Sequence, residues 1–148
     1  MKLAFASDHA GYDLKERLAA RARELGHEVL DLGVHSHDSV DYPEYGIACG
    51  EAVVGGRAEL GVVVCGSGIG IAIAANKVPG CRAALAHDHF TAEMSRRHND
   101  ANVLALGARV VGEGVALDAL EKFLSTPFEG GRHAARVAKI ESSLESKR

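Results

Sequence analysis

The chain has 148 residues, 47% of them hydrophobic and 25% charged, with a formal net charge of −3. That length fits one domain with a sizeable core, and the charge leaves no basic footprint for nucleic acid or an anionic membrane. No apolar stretch approaches the ~20 residues that span a bilayer, and the first residues enter a strand pattern without a signal-peptide core, so a cytoplasmic location is expected. Cys49, Cys65 and Cys81 form no CxxC pair, and an odd, sparse set suggests no disulfide framework.

Strand and helix signals alternate along the chain. Residues 2–6 are a short apolar run. Leu14, Leu18, Ala22 and Leu25 then mark one helical face over residues 12–25, which Gly26 ends. A second strand is predicted at 28–32, followed by a polar loop at 33–43. Pro43 suits the first turn of a helix, read here as residues 45–54 before Gly55 and Gly56. A third strand at 60–65 leads into a helix ending at Lys77. Residues 82–86 read as a strand, 90–98 as a helix, 103–106 as a strand and 115–124 as a helix closed by Pro127. After Gly130 and Gly131, a last helix runs from 132 to about 144. Five βα units imply a parallel sheet with helices on both faces. Ligands of such folds sit beyond the carboxyl ends of the strands. The polar groups Ser7-Asp8-His9, Cys65-Gly66-Ser67, His87-Asp88-His89 and Gly107-Ala108-Arg109 all fall there.

The densest signal is LGVVVCGSGIGIAIAANK, residues 60–77. A β-branched run ends at Cys65, and the loop Gly66, Ser67, Gly68, Ile69, Gly70 opens the next helix. Alternate glycines let the backbone turn with its N–H groups outward, and with the positive helix end they form an anion cradle. The thiolate is favoured near a helix N-terminus, so Cys65 can act as nucleophile or base, or can simply end a core strand. The loop is neither a dinucleotide fingerprint nor a Walker A sequence.

Other groups carry two readings each. Asp8 suits an N-cap as well as a ligand contact shared with His9. Arg96 and Arg97 suit a helix C-terminus, while His98 beside Asn99 suits a polar pocket. Arg132 and Arg136 stand one turn apart and can reach one anion, or line a solvated face with Lys139. His35, His37, His87 and His89 lack a completing carboxylate or thiol, so no metal site is expected. On the last helix, Val137, Ile140 and Leu144 form a stripe about 90° from the arginines. It can be buried on a neighbouring copy as readily as on its own.

Five motifs, SDHAGYDLK (7–15), DYP (41–43), CGSGIGIAIAANK (65–77), SRRHNDANVLALGARVVG (95–112) and FEGGRHAARV (128–137), give the chain its affinity. It resembles the type B ribose-5-phosphate isomerases and the related galactose-6-phosphate isomerase subunits. The resemblance implies a three-layer, flavodoxin-like or Rossmann-like α/β sandwich that forms homodimers or homotetramers, with no metal or organic cofactor. It also implies roles. Cys65 would move a proton between C2 and C1, since some members carry a glutamate where this chain has Ile71. His98 would open the furanose ring, and Asp8 and His9 would contact the sugar. Gly66, Ser67, Gly68, Ile69 and Gly70 would cradle the enediolate. Asn99, Arg109, Arg132 and Arg136 would bind substrate, the arginines chiefly its phosphate. The implied activity is aldose–ketose isomerisation of ribose 5-phosphate and ribulose 5-phosphate. The alternatives are a six-carbon sugar phosphate and a non-catalytic sugar-phosphate-binding subunit.

Overall fold

The structure is a computed structural model that describes the backbone of residues 1–145 and the side chains of residues 1–142. Five parallel strands form one sheet: β1 Lys2–Ser7, β2 Glu28–Asp31, β3 Leu60–Cys65, β4 Ala83–Leu85 and β5 Val103–Gly107. The helices are α1 Tyr12–Glu24, α2 Tyr42–Val54, α3 Ile69–Ala75, α4 His89–Arg97, α5 Glu113–Ser125 and α6 Arg132–Glu145. This is the α/β architecture that the alternating pattern predicts. The sheet order is β2-β1-β3-β5-β4, so the last two strands are exchanged relative to the flavodoxin-like order 2-1-3-4-5.

Strand alternation sorts the side chains onto two unequal faces. Leu3, Phe5, Val62, Val64, Leu104 and Leu106 meet Leu18, Ala22, Leu120 and Phe123 on the side covered by α1, α4 and α5. Ala4, Ala6, Val63, Cys65 and Ala105 meet Cys49, Ala52, Ile71 and Ala75 on the side covered by α2 and α3. The first face is bulky, and burying each large side chain there contributes roughly 1.5–3 kcal/mol. The second is built from small residues and brings its helices close. Gly46 of α2 shows how close: a Cβ there would sit 2.6 Å from the Ile71 carbonyl oxygen of α3.

Several boundaries move from their predicted places. α2 begins at Tyr42 rather than Tyr45, because Asp41 is its N-cap residue and Pro43 falls inside the first turn. α5 begins at Glu113 rather than Val115, with Gly114 tolerated in its first turn. α3 stops at Ala75, and β4 shrinks to three residues at the sheet edge. α6 lies outside the layers. Along it His133 is buried, Val137 and Glu141 are half-buried, and Arg132, Arg136 and Ile140 are exposed. The stripe it packs on its own chain is therefore His133, Val137, Glu141, and of the predicted Val137, Ile140, Leu144 stripe Ile140 stays exposed on this single copy. The side chain of Leu144 lies outside the described residues.

The packing of α2 on α3 is testable. Gly46→Ala should lower the unfolding free energy by about 1–3 kcal/mol, the usual effect of overpacking against a fixed neighbour, and urea denaturation measures it. Unchanged stability would show that the two helices can separate freely.

Candidate active site

At the carboxyl edge of the sheet a cleft of about 620 Å³ is bounded by Asp8, His9, Tyr42, Cys65, Gly66, Ser67, Gly70 and Arg109, among others. β1 and β3 are neighbours whose helices leave to opposite faces, so a crevice opens between their ends. Cys65 closes β3 with only 4% of its surface exposed. Its Sγ accepts a hydrogen bond from the Gly68 amide at 3.2 Å. Gly68 holds φ +78°, a left-handed conformation open to glycine, and this turns the chain so that its N–H faces the sulfur. Burial pushes the other two thiols up, that of Cys81 to about 11 with Arg82 opposing.

The glycine loop is less open than its sequence suggests. The Gly68 amide is committed to Cys65 and the Ile69 amide to the Ser67 hydroxyl at 3.2 Å. First-turn amides of a helix lack intrahelical partners, and those of Gly70 and Ile71 make no hydrogen bond among the described residues. The cradle is thus offered by the start of α3 more than by the whole 66–70 loop. Arg109 lies against this loop. Its amide donates to Gly66 O at 3.0 Å, and a Cβ on Gly66 would meet its Nη1 at 3.4 Å. No carboxylate pairs with Arg109 among the described residues, whereas Arg21, Arg82 and Arg96 all have one.

Asp8 is buried, and its carboxylate accepts from the Gly11 amide at 3.0 Å, so it shapes the turn into α1 while lining the cleft. His9 accepts from the Val40 amide through Nδ1 at 3.2 Å. A neutral His9 therefore carries its proton on Nε2. The donor comes from the 33–41 connection, a strap that α1 holds at two further points. Lys15 Nζ donates to Val34 O at 2.9 Å and to Asp31 at 2.7 Å. His37 pairs with Asp13 at 2.8 Å and packs edge-on against Tyr12. Burial alone would push the Asp31 carboxyl up, but Lys15 and the Gly33 amide hold it below the usual carboxylate range.

The remaining site candidates stand elsewhere. α4 runs back across the sheet, and His98 caps its carboxyl end just before β5 begins. The Asn102 carbonyl bonds the amide of Gly61 near the start of β3, so this corner lies at the amino edge. Cys65 is at the other end of β3, about 16 Å away along a six-residue strand. One copy does not bring His98 and Asn99 together with Cys65, because a helix antiparallel to the strands carries its last residues to the opposite edge. Arg132 and Arg136 belong to the same corner: their charges act on His133, whose ring stacks on His98 at 4.1 Å and 9°. Burial, then the His98, Arg132 and Arg136 charges, hold the His133 ring below the usual imidazole range.

Two residues escaped the sequence reading. Tyr42 lines the cleft and packs on Gly70; the DYP motif was its only signal. His133 is 5% exposed with no hydrogen bond at Nε2, and no periodicity marks it. With His98 and Glu129 it forms a trio whose ligand atoms lie within 4.8 Å of one another. Stacked rings point their in-plane lone pairs in parallel, however, so one ion cannot lie in both ring planes as the trio stands. His37, His87 and His89 have separate partners in Asp13, the Gly107 amide and Asp118.

Comparison with known proteins agrees with the fold. The family described as Ribose/Galactose Isomerase matches residues 3–140. Ribose-5-phosphate isomerase B of Escherichia coli is 44% identical over 99% of this chain and 98% of its own length. A putative sugar phosphate isomerase of Bacillus subtilis is 47% identical over 99% of both. The solved ribose-5-phosphate isomerase B of Clostridium thermocellum superposes with a TM-score of 0.99 at 51% identity, covering 100% of both chains. That of Mycoplasma genitalium, solved with bound ribulose-5-phosphate, gives 0.93 at 36% identity over 97% of this chain and 96% of its own. The chain belongs to the ribose/galactose isomerase family of sugar-phosphate isomerases.

Proposed function

We propose that this isomerase interconverts ribose 5-phosphate and ribulose 5-phosphate, with residues 1–148 acting as one catalytic domain in a homo-oligomer. The observation that carries the reading is Cys65 Sγ at the floor of the cleft, beside open first-turn amides of α3 and the unpaired Arg109. Abstraction of a proton alpha to a carbonyl needs a base and donors for the developing oxyanion. The Cys65 thiolate takes the C2 proton of the open-chain aldose. The electron pair moves to form the enediolate, whose oxygen faces the α3 amides; a proton passes from O2 to O1, and the same thiol returns the C2 proton to C1, leaving the carbonyl at C2. His98 opens the furanose by moving the anomeric hydroxyl proton to the ring oxygen. A second copy supplies His98, Asn99, Arg132 and Arg136, because one copy holds them a strand length from the thiol. Arg109, Arg132 and Arg136 bind phosphate far from the reacting carbons, which fixes orientation. Asp8 and His9 contact the sugar.

The three thiols are free, which suits the reducing cytoplasm, and no described helix is long and apolar enough to cross a membrane. An assay over phosphorylated pentoses and hexoses tests the substrate. A kcat/KM greatest for ribose 5-phosphate is expected, and a preference for allose or galactose 6-phosphate would replace the pentose reading. Cys65→Ala should lower kcat by about 10²–10⁴, the usual effect of losing a positioned base, with analogue binding little changed. Near-normal turnover would remove the thiol from the proton transfer. His98→Asn should make ring opening limiting, so the primary isotope effect on C2-deuterated ribose 5-phosphate should shrink. An undiminished effect would reject that role.

A further inference from the structure

The SDHAGYDLK motif ends in a lysine with no role in the chemistry, and its side chain is fully buried at 0% exposure. Lysine is rarely buried unless paired. Lys15 Nζ meets Asp31 at 2.7 Å, Glu16 at 3.0 Å and the Val34 carbonyl at 2.9 Å, with the Tyr12 ring 5.5 Å below. Its two carboxylates are partly in water, with side chains 22% and 45% exposed. A neutral side chain at this position would leave the Asp31 carboxylate partly hydrated and still bonded by the Gly33 amide, and buried pairs are weak evidence of a stabilising purpose. The ammonium joins the end of β2 to Val34 of the strap, beside the bond that the Gly33 amide itself makes to Asp31 at 2.9 Å.

The strap is held in sequence from there. Val34 exchanges backbone hydrogen bonds with the end of β1, its amide donating to Ser7 O at 3.0 Å while the Ser7 amide donates to Gly33 O at 2.8 Å. His37 is pinned to Asp13 and Tyr12 in the first turn of α1. The strap then delivers the Val40 amide to His9 Nδ1, and two residues later Tyr42 enters the cleft wall. We infer that Lys15 is a positioning residue: it anchors the 33–41 strap so that the Val40 amide fixes the tautomer and orientation of His9 in the cleft. The inference rests on the proposed site in one respect, that His9 faces the sugar.

The test is Lys15→Met in the full chain, with ¹⁵N NMR of the His9 ring and ribose 5-phosphate kinetics on one preparation. Wild type should hold His9 as a single Nε2–H tautomer, and the variant should show a mixture. Its kcat/KM should fall about tenfold, the scale of one lost hydrogen bond in a site. Placed on His9→Ala, the same change should cost less than about twofold, because a residue acting through His9 has nothing left to act on. A merely structural lysine would cost the same in both backgrounds. An unchanged His9 tautomer in Lys15→Met overturns the inference. A shifted tautomer with unchanged kinetics upholds the anchor and counts instead against His9 as a sugar contact. If Lys15→Met does not fold, Asp31→Asn keeps an oxygen for the ammonium and removes its counter-charge. A smaller shift of the same kind supports the anchor, and an undisturbed ring overturns it.

Discussion

All five strands run the same way, and that polarity governs where every functional group falls. Residues that follow a strand collect at the carboxyl edge; residues that precede one collect at the amino edge. Ser7, Cys65 and Gly107 end their strands, so Asp8, His9, the Gly66–Gly70 turn and Arg109 converge on one cleft. His98 and Asn99 precede β5, so they gather at the far edge beside His133 and the start of α6. No rotamer change moves a side chain the length of β3. Two polar clusters on one chain, each with cations lacking a carboxylate among the described residues, are the physical motive for proposing a site completed by a second copy.

Charge placement follows the same division. Arg82 and Arg96 are satisfied by Glu141, Asp100 and backbone carbonyls, and they tie α6 and α4 to the sheet. They are structural cations. Arg109 rests on the glycine loop at one edge, while Arg132 and Arg136 stand exposed near His133 at the other. A buried ammonium is held apart from both groups by Asp31 and Val34. The protein therefore separates cations paired within the fold from cations left without a carboxylate among the described residues.

Much of this was legible before any coordinates. The strand 60–65 reads as a continuous apolar run because both of its faces are buried, and helix spacing with Gly26 as a stop located α1. The Cys65 loop declared itself by composition. Less local features were hidden. Exchange of β4 and β5 in the sheet follows from tertiary packing, and a three-residue edge strand carries little pattern of its own. The amides of Gly68 and Ile69 look free in sequence, but the turn consumes them. Lys15 and His133 could not be read as buried, since their partners come from β2, the 33–41 strap and the end of α4. The face that α6 packs on its own chain was hidden too, because His133, an imidazole, occupies a place that a hydropathy pattern assigns to an aliphatic residue.

In the proposed enzyme the Cys65 cleft of one copy works with the His98 corner of another. Cys65→Ala and His98→Asn proteins, each far less active than wild type alone, can be unfolded together and refolded as a mixture. In a mixed dimer one site carries both substitutions and the other neither. Random pairing predicts recovery of about a quarter of wild-type activity, since half the dimers are mixed and each has one intact site. Activity that stays at the level of the separate variants, while capture through an affinity tag on one variant confirms mixed oligomers, would contradict the shared site.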